Sequence, residues 1–179
     1  MYYFKKEDFI SLIYIDFVEA INKRIEEAAG DRLENIFQLH LIRTRIFYNI
    51  IFSSDEYKNF YKEILFEELL PYDSPAHSFV RKPLVRLTED FSIDVSDEIF
   101  ELALEAEYGG RMRLLKIKYD NLNPKRSASF MYFIATMSAR LIEIPQETIN
   151  KNIASAEEVL ASIEYSDIPF VDLSDEDGQ

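Results

Sequence analysis

Apolar residues recur every three or four positions along most of this chain, a spacing that predicts amphipathic α-helices. The first such stripe begins at Phe9 and ends at Gly30, a residue type that favours helix C-termini. A second stripe follows Asp31, which lies three residues before Glu34 as in a capping box, and continues to about Phe52. The pattern therefore predicts two helices joined by almost no loop.

A third predicted helix begins with the capping pair Ser53 and Glu56 and ends before Pro71. Beyond it, prolines and turn residues interrupt the helical spacing as far as about residue 94. Two short apolar runs in this segment flank three polar residues and could form a small β-hairpin near 84–95.

Helical signals return at Ser96, a favourable N-cap for a helix through Tyr108, and Gly109–Gly110 is predicted to end that helix. The stretch 111–119 suits either a strand or a helix. Its apolar residues alternate with lysines, yet some of them also lie at helical spacing. Both interpretations stay open at the level of sequence.

Asn123 before Pro124 predicts the start of a helix through Ile142, and Pro145 predicts the start of another. Ordered structure is expected to stop after Tyr165. The predicted fold is mainly α, a bundle of about five to six helices with a possible small β-hairpin and a disordered acidic C-terminal tail. We place the helical domain at residues 1–163, with a possible sub-division near 71–95, and the tail at 164–179.

Composition argues against several kinds of chemistry. The chain has no cysteine, and its four glycines form neither a P-loop nor a dinucleotide-binding turn. Its two histidines, His40 and His77, have no glutamate or histidine at helical metal-binding spacing. Carboxylates such as Glu63 and Glu67 could perform acid–base work or bind a cation, but a solvated helix face is the favoured interpretation. We therefore expect a non-enzymatic protein that uses no metal and no cofactor.

Charge is distributed unevenly along the chain, whose formal net charge is -13. Residues 89–107 contain eight acids and no base, whereas residues 111–126 contain six cations and one acid. These neighbouring segments could fold against each other, or the cations could form a patch that binds phosphates or an acidic partner. The six cations are Arg111, Arg113, Lys116, Lys118, Lys125 and Arg126.

The tail combines six acids with large apolar side chains. Residues 170–173, followed by the polar and acidic residues 174–177, resemble a SUMO-interacting motif, in which a short apolar strand adds to a sheet edge. Residues 167–170 also resemble the acidic tip of bacterial single-stranded-DNA-binding proteins, although that tip ends at its phenylalanine. Both resemblances imply a protein partner, and residues 168–173 could alternatively dock on the chain's own helices. The candidate contact residues are Ile168, Phe170, Val171, Leu173, Asp175, Glu176 and Asp177.

These features predict an adaptor or subunit of an intracellular multiprotein complex that contacts partners through the tail and an aromatic helix face. Two alternatives are an acidic, nucleic-acid-mimicking inhibitor and a subunit of a DNA replication or repair assembly that contacts nucleic acid through 111–126. The N-terminus is unlike a secretory signal, and the longest apolar run, 130–135, is too short to cross a membrane. We expect a cytoplasmic or nuclear location, no membrane contact, and possible oligomerisation.

Overall fold

The computed structural model describes residues 5–123 and 127–171, and within those residues it contains eight α-helices and no strand. The predicted mainly α fold is confirmed. Three short 3₁₀ turns, Gly30–Arg32, Pro75–His77 and Tyr119–Asn121, connect helices. The helices are α1 (Lys6–Ala29), α2 (Ile36–Ile51), α3 (Asp55–Phe66), α4 (Ser78–Asp90), α5 (Asp97–Lys118), α6 (Ala128–Ala135), α7 (Met137–Leu141) and α8 (Gln146–Leu160).

The second helix, α2, is the centre of the fold and packs against α1, α4, α6 and α8. Buried residues occur on every side of it, and a helix of that kind belongs in the core. Its polar side chains are consequently enclosed as well: Arg43 and Arg45 each expose 7% of their surface, and Gln38 exposes none. Gln38 Nε2 donates a hydrogen bond to Ser155 Oγ of α8 at 2.7 Å, which compensates for its burial.

Two predicted N-caps lie at slightly different residues in the structure. Asn35 caps α2, because its side chain accepts a hydrogen bond from the Gln38 amide at 2.9 Å, while Asp31 lies in the preceding 3₁₀ turn. Ser54, not Ser53, caps α3 by accepting from the Tyr57 amide at 3.1 Å. The helices themselves are confirmed.

The predicted hairpin near 84–95 is wrong, since residues as far as Asp90 belong to α4. Pro83 lies inside this helix and cannot donate to the Phe79 carbonyl four residues earlier. Arg43 Nη2 donates to that carbonyl instead. A side chain of α2 thus satisfies the acceptor that Pro83 leaves free, and the helix continues through the proline.

The prediction that Gly109–Gly110 ends a helix is also wrong, because α5 continues to Lys118. Ser96 does cap it, accepting from the Ile99 amide at 3.3 Å. Gly110 serves close packing: a Cβ placed there would lie 2.5 Å from Met137 Cε of α7. The ambiguous stretch 111–119 is therefore helical up to Lys118.

The helix predicted to reach Ile142 is divided into α6 and α7 at Thr136. Thr136 Oγ1 donates to the Tyr132 carbonyl at 2.8 Å, a local bond that competes with regular helix geometry. Pro124, the predicted first-turn residue, lies outside the described residues. The helix predicted after Pro145 is confirmed as α8.

The segment after α8 turns back onto α1, α2 and α3. Asn49 Nδ2 donates to the Tyr165 hydroxyl at 2.8 Å. The Arg24 guanidinium donates two hydrogen bonds to the Asp167 carboxylate, at 2.7 and 2.9 Å. Ile168 and Phe170 expose only 6% and 2% of their surface. The described chain thus keeps ordered contacts beyond Tyr165, where order was expected to stop.

Candidate ligand-binding cavity

Helices α1, α2, α4 and α5 surround a buried polar centre. Tyr14 comes from α1, Arg43 from α2, and both Glu107 and Arg111 from α5. Three cavities adjoin this centre, and Val80 of α4 lines all three. The centre therefore borders three neighbouring cavities.

Glu107 and Arg111 form an ion pair across one turn of α5. Arg111 Nε donates to Glu107 Oε1 at 2.7 Å, and the two side chains expose only 14% and 6% of their surface. Burial alone would lower the pKa of Arg111, but Glu107 and nearby tyrosines outweigh it and hold that pKa well above the ordinary value. Arg111 thus keeps its proton at neutral pH, and the contact with the Glu107 carboxylate compensates its charge.

Arg43 lacks such a carboxylate partner among the described residues. Its Nη2 donates to the Phe79 carbonyl and to His40 Nδ1, the latter at 3.2 Å. Its guanidinium also lies over the Phe79 ring, 5.7 Å from the centroid. Burial lowers the pKa of Arg43 to about 10, so it still carries its proton at pH 7. Arg43, Arg111 and Glu107 together leave one buried positive charge in excess.

His40 adds no charge to this sum. Because Arg43 can only donate, His40 Nδ1 must accept, and His40 Nε2 donates to the Ala135 carbonyl at 3.1 Å. Both ring nitrogens are used by the neutral tautomer, and a proton on Nδ1 would break the bond from Arg43. Burial, aided by the charge of Arg43, lowers the pKa of His40 to about 3.

His77 borders the centre from the other side and is also neutral. Its ring lies 4.6 Å from that of Tyr108 and 5.6 Å from that of Tyr72, measured between centroids. Burial and the charge of Arg111 lower the pKa of His77 to about 4. The Tyr108 hydroxyl donates to the Leu70 carbonyl at 3.0 Å, which fixes this aromatic wall.

Three tyrosines complete the lining: Tyr48 and Tyr61 are buried, and Tyr14 is half-buried. Burial raises the pKa of Tyr14, Tyr48 and Tyr61, that of Tyr48 to about 12. Their hydroxyls therefore stay neutral and can donate or accept hydrogen bonds. The groups around the excess positive charge are therefore hydrogen-bond donors, and Glu107 is the one carboxylate among the described lining residues of this cavity.

The cavities differ in character. The first, about 50 Å³, is lined by polar groups including Arg43, Arg111 and His40. At a liquid volume of about 30 Å³ per water molecule, it corresponds to one or two waters, or to one small oxyanion group. The second, about 30 Å³, lies among apolar side chains such as Ile64 and Leu65 together with Arg111. A third, about 250 Å³, is more open and shares Glu107 with the first.

A more voluminous cleft of about 850 Å³ lies between the end of α1 and the start of α2. It is widely open. Its charged lining residues are exposed and lie in the last turns of α1 or in the following 3₁₀ turn: Glu26, Glu27, Asp31 and Arg32. No buried charge faces it. Volume alone therefore does not make it a better candidate than the polar centre.

The six predicted cations do not form one surface in the described residues. Arg111 points into the polar centre, Lys116 pairs with Glu68 at 2.7 Å, and Arg113 and Lys118 are exposed. Lys125 and Arg126 lie outside the described residues. The acidic and basic segments also do not fold against each other as separate elements, because residues 97–107 of the first and 111–118 of the second belong to one helix, α5.

Among the predicted tail contacts, Ile168 and Phe170 are buried against the helical domain and Val171 is half-buried. Phe170 meets the ring of Phe17 at 4.9 Å and that of Phe60 at 5.5 Å. This arrangement corresponds to the alternative in which the tail docks on its own helices. Leu173, Asp175, Glu176 and Asp177 lie outside the described residues.

Sequence reasoning missed the polar centre, although a signal for it exists. The sequence pattern predicts one apolar stripe on α2, whereas buried residues occur on every side of this helix. Charged residues within such a helix must be buried, which would have singled out Arg43 and Arg45. The pairing of Glu107 with Arg111 also follows from their spacing of four on a helix.

The described residues contain no cluster of three or more histidine, aspartate or glutamate side chains that could hold a metal ion. In the same residues, no helix is both long and apolar enough to cross a membrane. Comparison with protein families, curated proteins and solved structures gives no match to this chain. Function must therefore be argued from the site alone.

Proposed function

We propose that this protein is a non-enzymatic helical binding protein whose polar centre takes the oxyanion of a small ligand, a carboxylate or a phosphate. The observation that supports this most is the buried guanidinium of Arg43, which has no carboxylate partner among the described residues. An uncompensated buried charge is costly, and an anion in the adjoining 50 Å³ cavity would neutralise it.

The lining fits this class of ligand. Arginine recognises carboxylates and phosphates through a planar fork of donors, and Arg43 and Arg111 both line the same cavity. Neutral tyrosine hydroxyls add further donors. The adjoining cavity of about 250 Å³, lined in part by Tyr72, Val80 and Leu104, has room for a small hydrocarbon or aromatic body attached to the oxyanion.

Thermal unfolding in the presence of sodium phosphate or sodium benzoate, with sodium chloride added to constant ionic strength, tests the proposal. A ligand at ten times its dissociation constant stabilises the folded state by about 1.4 kcal/mol, a shift of several degrees for a domain of this size. A shift with either anion supports the proposal, and benzoate without phosphate would indicate an organic acid. No shift with either anion would contradict it.

The chain offers a matched control for that experiment. Arg43→Met should abolish the shift. Arg45→Met removes an equally buried arginine that lies beside Tyr132 and Glu157, away from the cavity, and should retain it. Equal responses of the two variants would show that the anion does not bind at Arg43.

A second proposal keeps the adaptor or subunit role predicted from the sequence. It is supported by apolar side chains on the outside of α1, where Phe9 and Leu12 expose 59% and 48% of their surface. It does not depend on Phe170, which is buried. Mass spectrometry of material co-purified with the native protein tests it: a stoichiometric second protein supports the role, and its absence speaks against it.

A further inference from the structure

One side of α5 points to solvent along its whole length. The residues on this side recur at intervals of three and four, which places them in one row on a helix. Three are large and apolar, and they expose 49%, 54% and 56% of their surface. The row consists of Ile99, Leu102, Ala106, Gly109, Arg113 and Ile117.

Gly109 in the middle of this row packs against no other part of the described structure. A Cβ added there would meet nothing within 4 Å, in contrast to Gly110, whose Cβ would strike Met137. Glycine is a poor residue for a helix interior compared with alanine. A second helix that crosses α5 at this point would explain the glycine, since a missing side chain lets two backbones approach closely.

The charges on α5 are divided between its two halves. Asp97, Glu98 and Glu105 lie in the N-terminal half, and Arg113 and Lys118 lie in the C-terminal half. All five are exposed and form no ion pair with any other described residue, whereas Glu101 and Lys116 on the same helix have partners in other elements. The helix thus presents an acidic end and a basic end whose exposed charges are unmatched.

We propose that two copies of this chain associate through α5, with the helices antiparallel and a two-fold axis between Ala106 and Gly109. This axis sets Ile99 of one copy opposite Ile117 of the other, and Leu102 opposite Arg113. Ala106 meets Gly109 at the crossing. The row is nearly symmetric about that point, as an isologous interface requires.

The charge division selects the antiparallel arrangement. In a parallel pair, acidic half would meet acidic half. In the antiparallel pair, Arg113 of one copy lies between Glu98 and Glu105 of the other, because these lie one turn before and one turn after Leu102 on one flank of the row. Such complementarity fixes orientation and partner choice.

A single pair of helices buries less surface than most stable dimers, and each copy carries a net charge of -13. We therefore expect a weak dimer, with a dissociation constant on the order of micromolar or higher. Sedimentation equilibrium of the full chain at concentrations up to about 1 mM covers this range.

Charge reversal tests the orientation directly. Arg113→Glu and the double variant Glu98→Lys, Glu105→Lys should each weaken the dimer about tenfold or more, because like charges then face each other. The triple variant with all three reversals should restore it. Lys151→Glu on the exposed face of α8 changes the net charge as much as Arg113→Glu and should leave dimerisation unaltered.

Gly109→Gln gives a second, independent test. Glutamine is the better helix former, so the monomer should become more stable to heat while the dimer becomes weaker. A wild-type chain that stays monomeric at about 1 mM would overturn the proposal. So would a triple reversal that fails to restore association, or a Gly109→Gln variant that dimerises as the wild type does.

Discussion

At the scale of single residues, the two histidines predict that stability depends on pH. Both are half-buried and neutral in the fold, with the pKa of His40 lowered to about 3 and that of His77 to about 4. In the unfolded chain they titrate at about pH 6.5. The unfolded state therefore binds more protons below that pH, and stability falls as the pH is lowered from about 6.5 towards 4.

The variant His40→Gln, His77→Asn should flatten this dependence. Neither replacement titrates, and these are the only histidines in the chain. Chemical denaturation at several pH values between about 5.5 and 7 measures the slope, a range in which ordinary carboxylates are almost fully ionised. If the free energy of unfolding of the double variant changes with pH as steeply as that of the wild type, the two histidines are not held neutral in the fold.

The adjacent glycines of α5 allow a second residue-scale prediction. Gly109→Ala should stabilise the chain by about 1 kcal/mol, because alanine favours the helix and the site is open. Gly110→Ala should give a smaller gain or a loss, since Met137 must move. Thermal unfolding at a protein concentration low enough to keep the chain monomeric compares the two, and equal gains would contradict the packing described for Gly110.

At the scale of elements, Pro83 and Arg43 should be energetically coupled. Removing Arg43 leaves the Phe79 carbonyl of α4 without its donor, a loss of about 1–3 kcal/mol in addition to lost packing. In a Pro83→Ala background the new amide of residue 83 can bond to that carbonyl. Arg43→Met should therefore cost less there than in the wild type.

A double-mutant cycle by urea denaturation measures this coupling. We expect an interaction free energy of about 1 kcal/mol or more between the two positions. Additive effects within about 0.3 kcal/mol would mean that Arg43 does not replace the missing amide of Pro83.

The segment after α8 behaves as a core element up to Phe170. Phe170→Ala should destabilise the chain by about 3–5 kcal/mol, because its ring is buried among Phe17, Phe60 and other aromatics. Val171→Ala, at a half-buried neighbouring site, should cost much less. If Phe170→Ala proves nearly neutral in denaturation, the segment is not docked as described.

Local sequence signals predicted most of these elements, and the failures have physical causes. Periodicity located α1, α2, α3 and α8. Pro83 and Gly110 were interpreted as helix breakers, because the side chains that compensate for them, Arg43 and Met137, lie far away in the sequence. A prediction made from one segment cannot take account of a side chain that a distant segment supplies.

At the scale of the whole molecule, charge is used in two ways. The surface is strongly acidic, while the centre holds Arg43, Arg111 and Glu107 with one positive charge in excess. The sequence shows the first property directly. The second emerges only when α2 is recognised as the central helix, since burial of α2 brings Arg43 close to the pair on α5.

The central claim is that this buried positive charge binds an oxyanion. The Nε–Hε resonances of Arg43 and Arg111, observed by nitrogen-15 NMR during titration with benzoate and with phosphate, test it most directly. We predict saturable shifts of both resonances with at least one anion, while the resonance of Arg45 stays in place. Resonances of Arg43 and Arg111 that do not respond to either anion would contradict the claim.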